Sequence, residues 1–315
     1  MGEKLELAIA ILNGAVGDYL AKTENGLRTE MSLVRGGAIV PVDRASLAAA
    51  VEAPSAHVVV FLHGLMCTET IWNYPGTSSG YPELLERDRA VTSLTVRYNT
   101  GLSIPENGAL FDGLLRGLVE AYPVPITTIT IVGYSMGGLV ARAAFHTAAS
   151  AGESPWLPRI VRAIYVGTPH RGAPLERVGR AVTKLLEAIP DPVTRLVGEL
   201  AELRSAGVKD LGDADLRAED RAKTSLRLTS AEHPVPLLDG MRHHLIVGTL
   251  TRDGSFPELF GDAIVPVSSA SFTGAHGPIA SVRVCHGLSH TDLPHHGDVY
   301  AALLEAFDAP ERESR

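Results

Sequence analysis

The 315-residue sequence contains very little cysteine, only Cys67 and Cys285. Two cysteines cannot form the network of disulfides that stabilises small secreted folds, so a disulfide-dependent fold is excluded. The chain also has no excess of basic residues. Its formal net charge is −8, with 28 Lys and Arg against 36 Asp and Glu, which gives no indication of a nucleic-acid-binding surface.

Long apolar runs are missing as well. The apolar stretch at residues 7–16 is interrupted by Asn13 and Gly14, and no later stretch reaches the length of about 20 residues that a membrane span needs. The first residues include Glu3 and Glu6, whereas a signal peptide begins with basic residues. We therefore expect a cytoplasmic protein without a transmembrane segment.

The composition is otherwise that of a globular protein. Hydrophobic residues make up 45% of the chain and charged residues 20%, which is enough to bury a large core. The length corresponds to about two average domains, but some α/β folds reach it as one. We expect residues 1–315 to form a single domain.

From residue 57 onward, short apolar runs alternate with segments of helical periodicity. Val58–Leu62 is continuously apolar, as expected for a strand that is covered on both faces of a parallel sheet. Similar runs follow at intervals long enough for a crossover helix, which predicts an α/β fold with a mostly parallel central sheet and helices on both faces. The other predicted strands are Val91–Val96, Ile126–Val132, Ile160–Val166, His244–Val247 and Val282–Val284, and the predicted helices are Glu83–Arg89, Leu110–Ala121, Leu139–Ala151 and Val299–Phe307.

Three parts of the chain lie outside this alternation. Residues 1–56 are predicted to be an N-terminal extension, with a helix over Leu5–Leu20 and a hairpin that turns at residues 35–37. Residues 174–236 are predicted to be a helical insertion, whose two amphipathic stripes suit either a lid or additional scaffold. Residues 310–315 are predicted to be a disordered tail.

The pattern Gly-x-Ser-x-Gly occurs twice, and its context separates the two copies. No strand precedes the copy around Ser78, which indicates a flexible turn. The copy around Ser135 follows a β-branched run and precedes a helix-forming segment. That strand–turn–helix setting is the one a serine nucleophile needs, because side chains at the flanking glycine positions would collide with strand and helix. We predict that Ser135 is the nucleophile.

The loop that follows the first buried strand is the expected place for an oxyanion hole. Its sequence is His63-Gly64-Leu65-Met66. We predict that the backbone N–H groups of Leu65 and Met136 are the donors, with Met66 as a close alternative to Leu65. His63 is predicted to hold the loop through a hydrogen bond rather than to transfer protons.

A serine nucleophile needs a base, and the base needs an orienting carboxylate. With this nucleophile turn, the chain order is serine, then acid, then histidine. His290 lies in a glycine-containing loop after the last predicted strand and is the predicted base, with His295 and His296 as alternatives. The acid should follow the preceding strand. We predict Asp262, with Asp253 in an Asp-Gly pair as the alternative.

Two aromatic residues near these motifs, Trp72 and Tyr134, are predicted to bind substrate. No metal is expected, because the adjacent histidine pairs at residues 243–244 and 295–296 would point apart on a strand or helix, and no spacing matches a zinc site. The predicted serine chemistry needs no cofactor.

These motifs resemble those of the α/β-hydrolase superfamily, and within it the bacterial serine esterases and lipases, including those related to the inositol deacylases. The resemblance runs from about residue 57 to the last helix. The Gly-x-x-His loop of small bacterial lipases is similar to the loop of His290, whereas the insertion at residues 174–236 departs from the smallest of those enzymes. The matching motifs are His63-Gly64, Gly133-Tyr134-Ser135-Met136-Gly137-Gly138, Gly167-Thr168-Pro169-His170, Gly261-Asp262 and Gly287-Leu288-Ser289-His290.

The resemblance implies an α/β-hydrolase fold and a serine carboxyl-ester hydrolase. Such an enzyme acts through an acyl-enzyme on small-molecule or lipid esters. The two amphipathic stripes of residues 174–236 favour short-to-medium acyl chains. The same triad could instead transfer the acyl group to an alcohol, or cleave amides or thioesters. A non-catalytic binding protein of this fold would typically lack a triad member, and all three are present here.

Overall fold

An eight-stranded sheet forms the centre of the computed structural model, which describes residues 3–174, 177, 179, 205–213, 216, 235–251, 261–272 and 279–309. The strands are β1 (Ser32–Arg35), β2 (Ala38–Val40), β3 (His57–Leu62), β4 (Thr92–Arg97), β5 (Thr128–Tyr134), β6 (Ile160–Val166), β7 (Arg242–Thr249) and β8 (Ile279–His286). Their order across the sheet is β2-β1-β4-β3-β5-β6-β7-β8. Strands β3 to β8 pair in parallel, and β1 is antiparallel to both its neighbours. The predicted α/β fold with a mostly parallel sheet is confirmed.

The α-helices of the described residues are α1 (Glu3–Lys22), α2 (Arg44–Ala50), α3 (Tyr81–Arg89), α4 (Ile104–Ala121), α5 (Met136–Ala151), α6 (Ala206–Asp213), α7 (Val267–Ala270) and α8 (Gly297–Asp308). Short 3₁₀ helices cover Glu69–Trp72, Leu157–Arg159 and Leu293–His295. Helix α4 begins earlier than its apolar periodicity predicts, because Ser103 and Glu106 form a capping box at its start. Helix α2 was not predicted, although Asp43 caps it by accepting from the N–H of Ser46.

The sheet separates two apolar cores, and alternate residues of its central strands contribute to each. Val58, Val60 and Leu62 of β3 face the core that α4 and α5 cover. Val59 and Phe61 face the other core, which α3 and α8 cover. Because successive side chains of a strand point to opposite faces, a continuous apolar run is needed to fill both cores.

The predicted hairpin is confirmed at the edge of the sheet. Strands β1 and β2 are joined by Gly36 and Gly37 alone, with φ of +57° and +78°. A two-residue turn with positive φ at both positions matches the twist of an antiparallel pair, and glycine adopts these angles without a steric cost.

The predicted N-terminal helix is also confirmed, and it lies on the body of the protein. Its apolar side is buried together with Met66, which belongs to the loop after β3. The helix kinks at Val16, where φ is −141°.

Some predictions fall on residues that the structure does not describe. The two amphipathic stripes of the insertion, the alternative acid Asp253 and the tail at residues 310–315 lie outside the described residues. The lid therefore stays a prediction. The described part of the insertion includes α6, which packs against α1 and α4.

The described residues contain no helix that is long and apolar enough to cross a membrane. Within the same residues, no group of three or more histidine, cysteine and acidic side chains is placed to hold a metal ion. His243 and His244 point apart, as predicted. The His243 ring is hydrogen-bonded to Tyr165 and to the carbonyl of Leu238, whereas the His244 ring is hydrogen-bonded to Ser281.

Several histidines are buried in neutral form. Burial lowers the pKa of His63 and of His243 to about 4, and it lowers the pKa of His170 well below the usual value of 6.5. His243 shows how such a ring is accommodated. Its Nε2–H donates to Leu238 O at 2.8 Å, and its Nδ1 accepts from the Tyr165 hydroxyl at 3.0 Å.

Acid should destabilise the protein within a defined pH window. In the unfolded chain these histidines bind protons near pH 6.5, but in the folded state they stay neutral down to about pH 4. The unfolded state therefore binds more protons in this window, so the free energy of unfolding should fall as the pH drops through it. The loss should be up to about 1.4 kcal/mol per pH unit for each histidine. Urea unfolding at pH 7, 6 and 5, followed by circular dichroism, measures this.

A matched pair of substitutions tests the cause. His243→Asn should reduce the pH slope by up to one proton, whereas His57→Asn, at an exposed position, should change it less. An unfolding free energy that stays constant between pH 7 and 5 would contradict the prediction.

Candidate active site

Ser135 lies on a sharp turn between β5 and α5. Its backbone has φ +52° and ψ −122°, a conformation that non-glycine residues rarely adopt and that the surrounding structure must hold. Two glycines make the turn possible. A Cβ on Gly133 would lie 2.6 Å from Gly138 Cα, and a Cβ on Gly137 would lie 2.5 Å from Leu62 O. Neither space holds a side chain, which is the physical reason for both glycines in the motif.

His290 reaches Ser135 from the loop after β8. Its Nε2 lies 2.9 Å from Ser135 Oγ. Two backbone contacts fix the loop. His290 N–H donates to Asp262 O at 2.8 Å, and the Tyr134 hydroxyl donates to His290 O at 3.0 Å. The predicted base is thus brought to the predicted nucleophile.

Asp262 lies on the other side of the His290 ring. Its Oδ2 is 2.7 Å from His290 Nδ1, and its Oδ1 accepts from the N–H groups of Ile264 at 3.1 Å and Val265 at 2.8 Å. Because an ionised carboxylate only accepts, Nδ1 carries the ring proton, and Nε2 is left to accept from the Ser135 hydroxyl. Asp262 is only 1% exposed, so little water competes for these bonds.

The turn around Asp262 depends on the residue before it. Gly261 has φ +49°, and a Cβ there would collide with Val265 O. Glycine therefore allows the chain to fold back so that the N–H groups of residues 264 and 265 hold one carboxylate oxygen. The other oxygen is left for His290.

The alternative histidines do not reach Ser135. His295 ends a 3₁₀ helix, and the ring of His296 caps α8 by accepting from the N–H of Asp298. Among the described residues, Ser135 Oγ bonds to His290 alone.

The two predicted oxyanion donors flank Ser135. A Cβ on Gly64 would lie 3.1 Å from Ser135 Cβ, so the loop that carries Leu65 touches the serine. Met136 is the first residue of α5, where an N–H group has no acceptor within the helix. No acceptor among the described residues binds the N–H of Leu65 or Met136. The alternative donor is engaged, because Met66 N–H donates to Thr100 Oγ1 at 3.1 Å.

His63 holds the oxyanion loop, as predicted. Its Nδ1–H donates to Gly64 O at 2.9 Å, and its ring stacks on Tyr98 with centroids 4.4 Å apart. The Tyr98 hydroxyl donates in turn to His63 O at 2.7 Å. Because burial keeps His63 neutral, the ring serves as a fixed donor.

The prediction that Trp72 and Tyr134 bind substrate needs correction. Trp72 is fully buried and Tyr134 is 3% exposed, with their ring centroids 6.1 Å apart. Trp72 also packs on Phe61 and Tyr81, since large rings gain most when fully removed from water. Both aromatic side chains belong to the apolar core beside the site. Tyr134 instead supports His290, a role that the sequence did not indicate.

A buried arginine in the helix that follows Ser135 was also missed. Arg142, on α5, donates to His170 Nδ1 at 3.1 Å and to Val235 O, and it lies 4.9 Å from the Phe272 ring centroid. Burial lowers the pKa of Arg142 to about 10. The only signal in the sequence was an arginine within an otherwise apolar helical segment.

Comparison with known proteins identifies the family. The model of the alpha/beta hydrolase family matches residues 59–306, and the chain belongs to that family. No curated protein matches the chain.

Two solved structures show the same fold. The mature form of the Bacillus licheniformis lipase BlEst2 is similar over 79% of this chain and 90% of that one, with 17% sequence identity and a TM-score of 0.50. The propeptide form of the same lipase is similar over 84% of this chain, with 18% identity and a TM-score of 0.51. This chain covers 54% of that longer form.

Proposed function

We propose that the protein is a serine carboxyl-ester hydrolase that works through an acyl-enzyme. The observation that supports this most is the line of hydrogen bonds from Ser135 Oγ through the His290 ring to the Asp262 carboxylate. Next to it lie the N–H groups of Leu65 and Met136, which have no acceptor among the described residues. A nucleophile, a base with an oriented ring and two free donors are the groups that acyl transfer requires.

In the first half-reaction, Ser135 Oγ attacks the ester carbonyl carbon while His290 Nε2 takes the hydroxyl proton. The carbonyl oxygen becomes an oxyanion that accepts from Leu65 N–H and Met136 N–H. Asp262 holds the ring tautomer and stabilises the imidazolium. The bond to the alcohol oxygen then breaks, the alcohol takes the proton from Nε2, and Ser135 is left acylated.

In the second half-reaction, water replaces the alcohol. The water oxygen adds to the acyl carbon while His290 takes one of the water protons. Ser135 Oγ then leaves and regains that proton from His290, and the carboxylic acid product is released. If an alcohol took the place of water, the product would be a new ester. Product analysis with an added alcohol separates hydrolysis from acyl transfer.

The proposed substrate is a small-molecule or lipid ester with a short-to-medium acyl chain. The support for this comes from the sequence of residues 174–236, whose two apolar stripes would shelter an acyl chain if they form a lid. A lid exposes apolar surface when it opens, and this costs free energy in water unless a lipid or acyl chain covers the surface.

Labelling with a fluorophosphonate tests the nucleophile. We expect a single adduct on Ser135, because His290 can take its proton and the N–H groups of Leu65 and Met136 are available to the resulting phosphonyl oxygen. Mass spectrometry of the digested protein locates the adduct. Ser78, exposed in the other Gly-x-Ser-x-Gly segment, is the internal control. An adduct on Ser78, or no adduct on folded protein, would refute the proposal.

Alanine substitutions test the base and the acid. His290→Ala should lower kcat by several orders of magnitude, about as far as Ser135→Ala, because the members of a triad act as a unit. Asp262→Ala should cost less, on the order of 10⁴-fold. His295→Ala is the matched control and should retain activity. Loss of turnover in His295→Ala with activity retained in His290→Ala would reassign the base.

A series of p-nitrophenyl esters from acetate to palmitate tests the substrate class. We expect kcat/KM to rise from acetate to medium chains, since each buried CH₂ contributes up to about 0.8 kcal/mol, and to fall once the chain exceeds the pocket. A decrease from acetate onward would indicate a short-chain esterase and would leave the triad assignment unaffected.

A further inference from the structure

One side of the oxyanion loop packs against the N-terminal helix α1. The apolar face of α1 and the Met66 side chain form one buried cluster. Its members are Ala8, Ile11, Leu12, Ala15, Val16, Leu20 and Met66, none of them more than 9% exposed. Helix α1 therefore covers the residue that directly follows Leu65.

Residues Gly64 to Cys67 form a strained turn. Cys67 N–H donates to Gly64 O at 3.3 Å, and Met66 occupies the third position with φ +59°. A turn with positive φ at that position normally has glycine or asparagine there, and another residue costs on the order of 1–3 kcal/mol unless its surroundings hold it. Gly64 C=O and Leu65 N–H share one peptide plane, so this turn sets the direction of the Leu65 N–H.

Two contacts hold Met66 in this conformation. Its N–H donates to Thr100 Oγ1 at 3.1 Å. Behind both residues lies Gly14 of α1, where a Cβ would collide with Met66 Cγ and would lie 3.1 Å from Thr100 Oγ1. The helix backbone thus fits directly against the turn and its hydrogen-bond acceptor.

The loop that carries Thr100 is itself fixed between two helices. Asn99 Nδ2 donates to Gly17 O of α1 at 2.9 Å, and Gly207 N–H of α6 donates to Gly101 O at 3.1 Å. Ser205 Oγ, just before α6, donates to Gly14 O at 2.7 Å. Thr100 therefore has little freedom to move away from Met66.

We infer that α1 is a positioning element of the active site, in which Gly14 and Thr100 hold Met66 so that the Leu65 N–H points at the oxyanion. This inference rests on the proposed function. An oxyanion donor acts mainly in the transition state, when the carbonyl oxygen has become negative. Loosening the contact should therefore lower kcat and leave KM nearly unchanged.

The first test compares two helical glycines. Gly14→Ala should lower kcat at least about tenfold, a fraction of the 10²–10³-fold cost of losing an oxyanion donor, with KM changed less than about twofold. Gly113→Ala, in α4, is the matched control, because nothing lies within 4 Å of its added Cβ. Alanine favours a helix over glycine by about 0.5–1 kcal/mol, so helix propensity alone would not explain a loss in Gly14→Ala.

The second test removes the acceptor instead. Thr100→Val leaves the Met66 N–H without its partner and should also lower kcat, whereas Thr100→Ser keeps the hydroxyl and should recover most of it. This pair decides the question if Gly14→Ala fails to fold. A trifluoromethyl ketone, which forms an oxyanion on Ser135, should bind more weakly to the valine variant by about the same factor as kcat falls.

Hydrogen exchange provides a readout that does not depend on activity. The amides of Met66 and Cys67, which are bonded to Thr100 Oγ1 and Gly64 O, should exchange faster in Gly14→Ala and Thr100→Val than in wild type, and at the wild-type rate in Gly113→Ala. If wild-type protein takes no fluorophosphonate label, the proposed function fails, but exchange still tests the packing. If the wild type turns over and both folded variants keep its kcat and exchange rates, the inference is wrong and the proposed function stands.

Discussion

The carbonyls of Leu62 and His63 lie so close to Gly137 that no side chain fits between the end of β3 and the start of α5. This approach fixes the turn of Ser135, the proposed nucleophile, against the proposed oxyanion loop, and the strained backbone of Ser135 persists because the packing around it cannot relax. The site also depends on the parallel sheet, because the sheet brings the carboxyl ends of β3, β5, β7 and β8 to one edge. Every group assigned to the site follows one of these ends.

Backbone hydrogen bonds that involve the loops of Asp262 and His290 then determine the geometry of their side chains. The bond from His290 N–H to Asp262 O joins the two loops directly, so the distance between carboxylate and imidazole does not depend on side-chain packing alone. The Tyr134 hydroxyl ties the same loop back to the residue before Ser135. These hydrogen bonds thus connect the loop of His290 both to the loop of Asp262 and to the turn of Ser135.

The sequence predicted the features that depend on residues close together in the chain. Continuous β-branched runs marked the strands, paired glycines marked the hairpin turn, and the strand–turn–helix context distinguished Ser135 from Ser78. It was uninformative where the outcome depends on contacts between distant segments. Three features depend on how distant elements pack together, which the periodicity of a sequence does not show. They are the burial of Trp72, the support of His290 by Tyr134 and the packing of α1 on Met66. Helix α2 was also missed, although its cap at Asp43 involves only neighbouring residues.

Arg142 binds residues near both ends of the insertion, His170 just before its start and Val235 just before its last residue. The two points where the inserted segment leaves and rejoins the sheet are therefore pinned to the helix that follows Ser135. The entropy of closing a loop between fixed ends grows only with the logarithm of its length, by about 0.6 kcal/mol for each doubling. Segments of different length could thus be exchanged between these two anchor points at small entropic cost, provided that they keep the contacts of Ser205 with Gly14 and of Gly207 with Gly101. Those two contacts tie the insertion to the loop that carries Thr100.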